Sequence, residues 1–191
     1  ADVEAFTADG QEFEVASGGR AADAQVWTNN SGARVWCAAQ GRFRCEYTPK
    51  LSAAALTSYN PTLAYCYHDS NNYAWVYYDG ANARFVFEVK AGGTVARAVK
   101  AVSIVAGTLY DVDCRWVGSR GEHGLDPYTL TIAVNGVAGT DAIAAGAMSE
   151  QATSTLHIGS KAGADQARGY IRRRISRQHP PTNIEMQRSF S

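Results

Sequence analysis

Apolar residues recur at every second position through most of this chain, and turn-forming pairs cut the runs. Arg42-Phe43-Arg44-Cys45-Glu46-Tyr47 alternates polar and apolar and stops at Thr48-Pro49. Tyr110, Val112, Cys114 and Trp116 alternate with Asp111, Asp113 and Arg115. Successive side chains of a strand point to opposite faces, so each such run has one wet and one dry side. The same pattern predicts strands over 12–15, 25–27, 62–68, 73–78, 84–90, 95–102, 128–134, 155–158 and 170–175, with Phe85, Phe87 and Val89 on one face. Asp69-Ser70-Asn71-Asn72, Asp79-Gly80, Gly92-Gly93 and Asn135-Gly136 punctuate them. Asn-Gly suits a type I′ turn, whose central residues both need positive φ, and such turns join antiparallel neighbours. Helix is scarce: one turn is expected at 51–56, and a short C-terminal turn where Thr182 to Glu185 follow Pro180-Pro181. Residues 118–127 and 137–147 are expected as loops. The predicted fold is all-β and antiparallel, a sandwich or barrel with little helix.

A length of 191 residues suits one domain with a sizeable core, so 1–191 is read as a single unit. Within it, 1–41 holds less regular strands and 178–191 is a C-terminal segment. Eighteen Lys and Arg balance eighteen Asp and Glu, which removes any charge argument for nucleic acid or an anionic membrane. A chain this near neutrality lacks strong self-repulsion, so association into oligomers is compatible with it. No apolar run reaches the ~18 residues of a bilayer-spanning helix. Ala1 to Gly10 carries Asp2, Glu4 and Asp9 and no basic stretch before an apolar run, so it is not expected to be a signal peptide as it stands. Cys37, Cys45, Cys66 and Cys114 form no CxxC pair and sit mostly in strand-like runs. Buried free thiols are the expectation, with no zinc site.

The aromatic hairpin over 62–78 is the most distinctive candidate surface. Tyr65 and Tyr67 share a face, as do Tyr73, Trp75 and Tyr77, and His68, Asp69, Asn71 and Asn72 cap the tip. If Ala64 and Cys66 pack inward, the tyrosines face out; the opposite register would bury them. Aromatic platforms beside amides and carboxylates suit sugar rings, so Tyr65, Tyr67, Asp69 and Asn72 are the candidate ligand-binding residues. Arg168, Arg172, Arg173, Arg174 and Arg177 form a charge cluster. Arginine on both faces of one strand suggests a sheet edge, either solvated or in contact with a neighbour, and Arg172 and Arg174 are the candidate intermolecular contacts. Asp111 and Asp113 share an outer strand face, read as solvated although they offer two oxygen ligands for Ca²⁺. Glu12 and Glu14 are read as an edge pair. His68, His123, His157 and His179 lack metal-ligand spacing. No metal or cofactor is expected.

From about residue 42 onward the order of features resembles the laminin G-like branch of the concanavalin A-like superfamily. A strand ends near a proline at Phe43 to Pro49, and the hairpin Leu63 to Tyr78 follows. Gly107, Tyr110 and Val112 lead into Trp116. Leu130-Thr131-Ile132-Ala133-Val134-Asn135-Gly136 is a strand and turn, and Ile158-Gly159-Ser160 and Gly169-Tyr170-Ile171 complete the order. The resemblance covers roughly three-quarters of the chain. It implies an all-β, two-sheet antiparallel jelly-roll sandwich, and it implies what a catalytic member would carry: Glu-x-Asp-x-Glu on one strand for β-glucan cleavage, or Arg-x-Glu-x-Arg and Gln-Ile-His strands for a lyase. None of these runs occurs here. The expected function is therefore a non-catalytic structural or adhesive module resembling bacteriophage virion components: a tail fibre, an adhesin or a head decoration protein, assembled in the host cytoplasm. Its expected partners are protein neighbours in an assembly or a cell-surface glycan, without nucleic acid and without membrane insertion. The alternative is a carbohydrate-binding module of a secreted bacterial protein.

Overall fold

The computed structural model describes residues 12–14, 25–28, 40–118, 128–144, 155–162 and 164–173, with the backbone alone at 12–14, 25–28 and several strand ends. Its strands are β1 (Glu12–Glu14), β2 (Gln25–Thr28), β3 (Gln40–Pro49), β4 (Thr62–Asp69), β5 (Asn72–Asp79), β6 (Arg84–Ala91), β7 (Thr94–Ala101), β8 (Tyr110–Gly118), β9 (Tyr128–Val134), β10 (Val137–Ala138), β11 (Ala142–Ala144), β12 (Thr155–Ile158) and β13 (Gly169–Arg173). They form two antiparallel sheets. One is seven-stranded, in the order β1-β13-β3-β8-β9-β10 with β11 also on β9; the other is six-stranded, in the order β2-β12-β4-β5-β6-β7. The expected helical turn is a 3-10 turn at Ala53–Ala55. Residues 182–185 and most of the expected 118–127 loop lie outside the described residues.

The alternation places the core as anticipated. Tyr110, Val112, Cys114 and Trp116 of β8 face Phe85, Phe87 and Val89 of β6 across the sandwich, with Leu130, Ile132 and Ile171 among them. Buried phenols find partners: the Tyr47 hydroxyl donates to Ala167 O at 2.6 Å and the Tyr78 hydroxyl to Val102 O at 3.0 Å. Cys66 and Cys114 are buried free thiols, Cys45 is buried as well, and burial pushes the Cys66 thiol up to about 12. Cys37 lies outside the described residues. At the β9–β10 turn Asn135 and Gly136 take φ values of 52° and 76°, the left-handed pair that a type I′ turn requires.

Two expectations are corrected. The segment 137–147 is not simply a loop, because β10 and β11 both pair with β9 inside it. Exposed Val137 and Ile143 and many small residues hide the alternation there. Backbone bonds in both directions between Val99 and Thr140 then tie this segment to β7 and cover that sheet edge. Strand β13 is not an edge: it lies between β1 and β3. Its Arg172 sits 3.7 Å from Glu46 of β3, so a partner within the sheet accommodates the arginine; Arg174 lies outside the described residues.

The outer face of the seven-stranded sheet is a lattice of ion pairs. Arg42 grips Asp113 with two bonds of 2.7 Å, Arg115 also reaches Asp113, and Arg44 binds Asp111. Asp111 and Asp113 are thus occupied by arginines. Burial pushes the Asp113 carboxyl up, but the bonds from Arg42 and Arg115 outweigh it and hold the group below its ordinary value. A depressed folded pKa contributes stability that is present above the ordinary value, about 3.9, and lost as pH falls through the lowered one. The melting temperature should therefore drop on acidification below about pH 4, and Asp113→Asn should flatten that drop. Parallel pH profiles for the two proteins would show that this lattice does not carry the acid sensitivity.

Candidate functional site

A sheet that supplies core from one face need not be apolar on the other, yet the six-stranded sheet is. Ala64 and Cys66 of β4 enter the core, which turns Tyr65 and Tyr67 outward. A register shift between Thr62 and Ala64 keeps Leu63 and Ala64 both inside and leaves Thr62 on the outer side. Across the strands, Tyr65 pairs with Trp75 and Tyr67 with Tyr73. The next strand places Glu88 beside Trp75, and Arg97 of β7 lies beside Glu88. On the other side, β12 sets His157 beside Tyr65.

The rings form a packed layer. Trp75 and Tyr77 stack with centroids 3.9 Å apart, Tyr65 meets Trp75 edge-on at 6.3 Å, and Tyr65 stacks with Tyr67 at 5.7 Å. The Trp75 indole donates to Thr62 Oγ1 at 2.9 Å. Glu88, only 3% exposed, accepts from Arg97 Nε at 2.5 Å, the Tyr73 hydroxyl at 2.7 Å and the Tyr77 hydroxyl at 3.4 Å. Desolvation pushes the Tyr65 and Tyr77 phenols up to about 12, so both hydroxyls remain proton donors at neutral pH. Over the layer lies Lys161, from the segment between β12 and β13, with its ammonium 3.6 Å from the Trp75 centroid and 5.6 Å from Tyr65. Lys90 stands 5.9 Å from the Tyr73 ring. His157 Nδ1 is shut off from solvent without a hydrogen-bond partner among the described residues, and burial lowers the imidazole pKa.

The structure brings the expected residues together with unequal exposure. Tyr67 is 37% exposed, whereas Tyr65 is 5% exposed, roofed by its ring neighbours and Lys161. Tyr65 is thus part of the layer's floor and not an open platform. Asp69 and Asn72 serve the turn first. Asp69 accepts from Asn71 N at 2.7 Å and Asn72 Nδ2 at 3.0 Å, and Asn72 Oδ1 accepts from Gly92 N at 3.1 Å. These two residues fix the hairpin tip against the β6–β7 turn. Sequence reasoning missed Glu88, Arg97, His157 and Lys161. Alternation within β6 does place Glu88 opposite Phe87, but no local signal says which strands flank it. The side chains of Glu12 and Glu14 lie outside the described residues, and among the described residues no group of three or more His, Cys, Asp or Glu gathers in a way that could hold a metal ion. None of the described helices is long and apolar enough to cross a membrane.

These features define an antiparallel two-sheet jelly-roll sandwich, and its fold is similar to that of laminin G-like domains. No protein-family model and no curated protein sequence matches the chain. Among solved structures, it is similar to the LG1-3 region of the laminin α2 chain, with a TM-score of 0.52 and 10% identity over 75% of this chain and 26% of that one. It is also similar to domains LG4-5 of the mouse laminin α1 chain (TM-score 0.49, 13% identity, 78% and 40% covered). A third is a carbohydrate-binding module from Bacillus subtilis (TM-score 0.42, 11% identity, 72% and 73% covered). The chain thus spans well under half the length of either laminin fragment, and at these identities the likeness is one of fold.

Proposed function

We propose that this chain is a non-catalytic binding module, the adhesive part of a bacteriophage particle, and that it holds a cell-surface glycan on the outer face of the six-stranded sheet. The observation that carries the reading is the aromatic layer of Tyr65, Tyr67, Tyr73, Trp75 and Tyr77 on the side of the sheet turned away from the core. Rigid rings offer contact area at low entropic cost, and their faces suit the apolar faces of sugars. The carboxylate on this face, Glu88, is committed to Arg97 and two phenols, the arrangement of a fixed acceptor and not of a proton donor facing a substrate. Within the particle, Arg172 on the exposed side of β13 and Arg174 are the proposed contacts to a protein neighbour. A carbohydrate-binding module of a secreted bacterial protein is the second reading, favoured by the same surface. Capsid and tail genes beside this one would decide for the first.

Tyr67 gives the direct test. Its ring is the exposed edge of the layer, so Tyr67→Ala should shift unfolding by no more than about 0.5 kcal/mol. The same change should weaken glycan binding about tenfold, the loss expected for one stacked ring. Unaltered binding, or a strongly lowered melting midpoint, would remove this face from consideration.

A further inference from the structure

The outer face carries cations that a neutral sugar would not need. Lys161 seats its ammonium on Trp75, Lys90 lies beside Tyr73 and donates to Ser70 O at 2.8 Å, and the half-exposed Arg97 guanidinium is bonded to Glu88. The Arg84–Asp79 pair lies on the same face, and among the described residues Lys161, Lys90, Arg97 and Arg84 outnumber Glu88, Asp79 and the tip residue Asp69 by one. Lys161 also covers the ring best suited to stacking. An ammonium on a ring at a half-exposed site is weakly held, and a carboxylate makes the stronger bond with it.

We propose that Lys161 is a displaceable cover and the specificity-determining residue of this face, which takes a carboxylate-bearing sugar chain of the polyuronate class. This rests on the glycan-binding reading above and adds the ligand's charge. A uronate suits the arrangement because its carboxylate projects from the rim of the ring. The ring keeps an apolar face for stacking, and the acid group lies at the edge, where the Lys161 ammonium can meet it. On binding, the acid group draws the ammonium off Trp75 and pairs with it, and a sugar ring takes the vacated place. Neighbouring strands about 4.8 Å apart set Tyr67 and Tyr73 side by side, ready for the next sugar along the chain. Single-stranded nucleic acid also stacks on rings and also carries one anion per unit, so it is the competing ligand that the test below separates.

The test measures binding of polygalacturonate and of laminarin, a neutral β-glucan, to the wild-type chain, Lys161→Ala, Lys161→Arg and Tyr67→Ala. Polygalacturonate should bind at least about tenfold more tightly than laminarin, and its affinity should fall as salt is raised. Lys161→Ala should cost about tenfold for polygalacturonate, the loss of one charge-assisted bond, and should not weaken laminarin, because it uncovers the Trp75 ring. Lys161→Arg should restore most of the affinity. If laminarin binds as well as polygalacturonate, and Tyr67→Ala weakens it while Lys161→Ala does not, the charge inference falls and the glycan-binding reading stands. If neither polymer binds, both fall. A single-stranded oligonucleotide bound more tightly than polygalacturonate would overturn the proposal in favour of a nucleic-acid ligand.

Discussion

Replacing Gly80 with alanine should destabilise this chain by about 3 kcal/mol or more, enough to consume a large part of a typical domain's stability. Gly80 follows the last residue of β5 and packs under the segment that contains the 3-10 turn. A Cβ built there would lie 1.8 Å from Leu56 O and 2.5 Å from Tyr59 O. Both are backbone atoms, and the buried Leu56 side chain anchors that stretch, so neither can swing aside as a side-chain tip would. Torsion is not the cause, because Gly80 is not among the positive-φ glycines; the cause is distance. Urea unfolding of Gly80→Ala should show a much lower midpoint, or little folded protein at all. A midpoint within about 0.5 kcal/mol of wild type would mean that the two segments are not in contact.

Trp75→Ala should cost about 3–5 kcal/mol, the range for a large aromatic removed from a packed interior. That is a strong statement for a residue on the solvent side of a sheet. It follows from the stack on Tyr77, the bond to Thr62 and the Lys161 cover, which together leave Trp75 only 7% exposed. The contrast with Tyr67 on the adjacent strand is the informative part. Both rings share the outer face, yet one is a member of a second, smaller core and the other its open edge. Trp75→Phe should recover most of the loss, keeping the stack but leaving Thr62 Oγ1 without its donor, at a cost of about 1 kcal/mol. Equal small losses for Trp75→Ala and Tyr67→Ala would show that the layer is loose and that its rings act only through ligand contact.

The candidate site was legible in part. The alternation of Ala64 and Cys66 with Tyr65 and Tyr67 puts the two tyrosines on one face but leaves two registers open, and the structure takes the one with Ala64 and Cys66 inside. It says nothing of what roofs them. Lys161 reaches Trp75 from a segment more than eighty positions away in the chain, and Arg97 reaches Glu88 only because β6 and β7 happen to pair in that register. The arginines of β13 were misread as an edge for the same reason. A strand's neighbours are long-range partners, and Glu46, which lies beside Arg172, stands far from it in the chain.

What the sequence determined by itself is the class of fold and the element list apart from β10 and β11. Period-two alternation and turn pairs such as Asn135-Gly136 are local properties, imposed by the pleat and by allowed φ values, and they need no knowledge of distant residues. Only the tertiary structure decided the strand order, the closure of β7 by the 137–144 segment, the close approach that reserves position 80 for glycine, and the burial of Tyr65, Trp75 and Glu88 on an outward face. Each of these depends on which segments meet across long sequence separations. A local pattern can state that a side chain points away from its own sheet's core, but whether it then meets water or another part of the chain is set by packing alone.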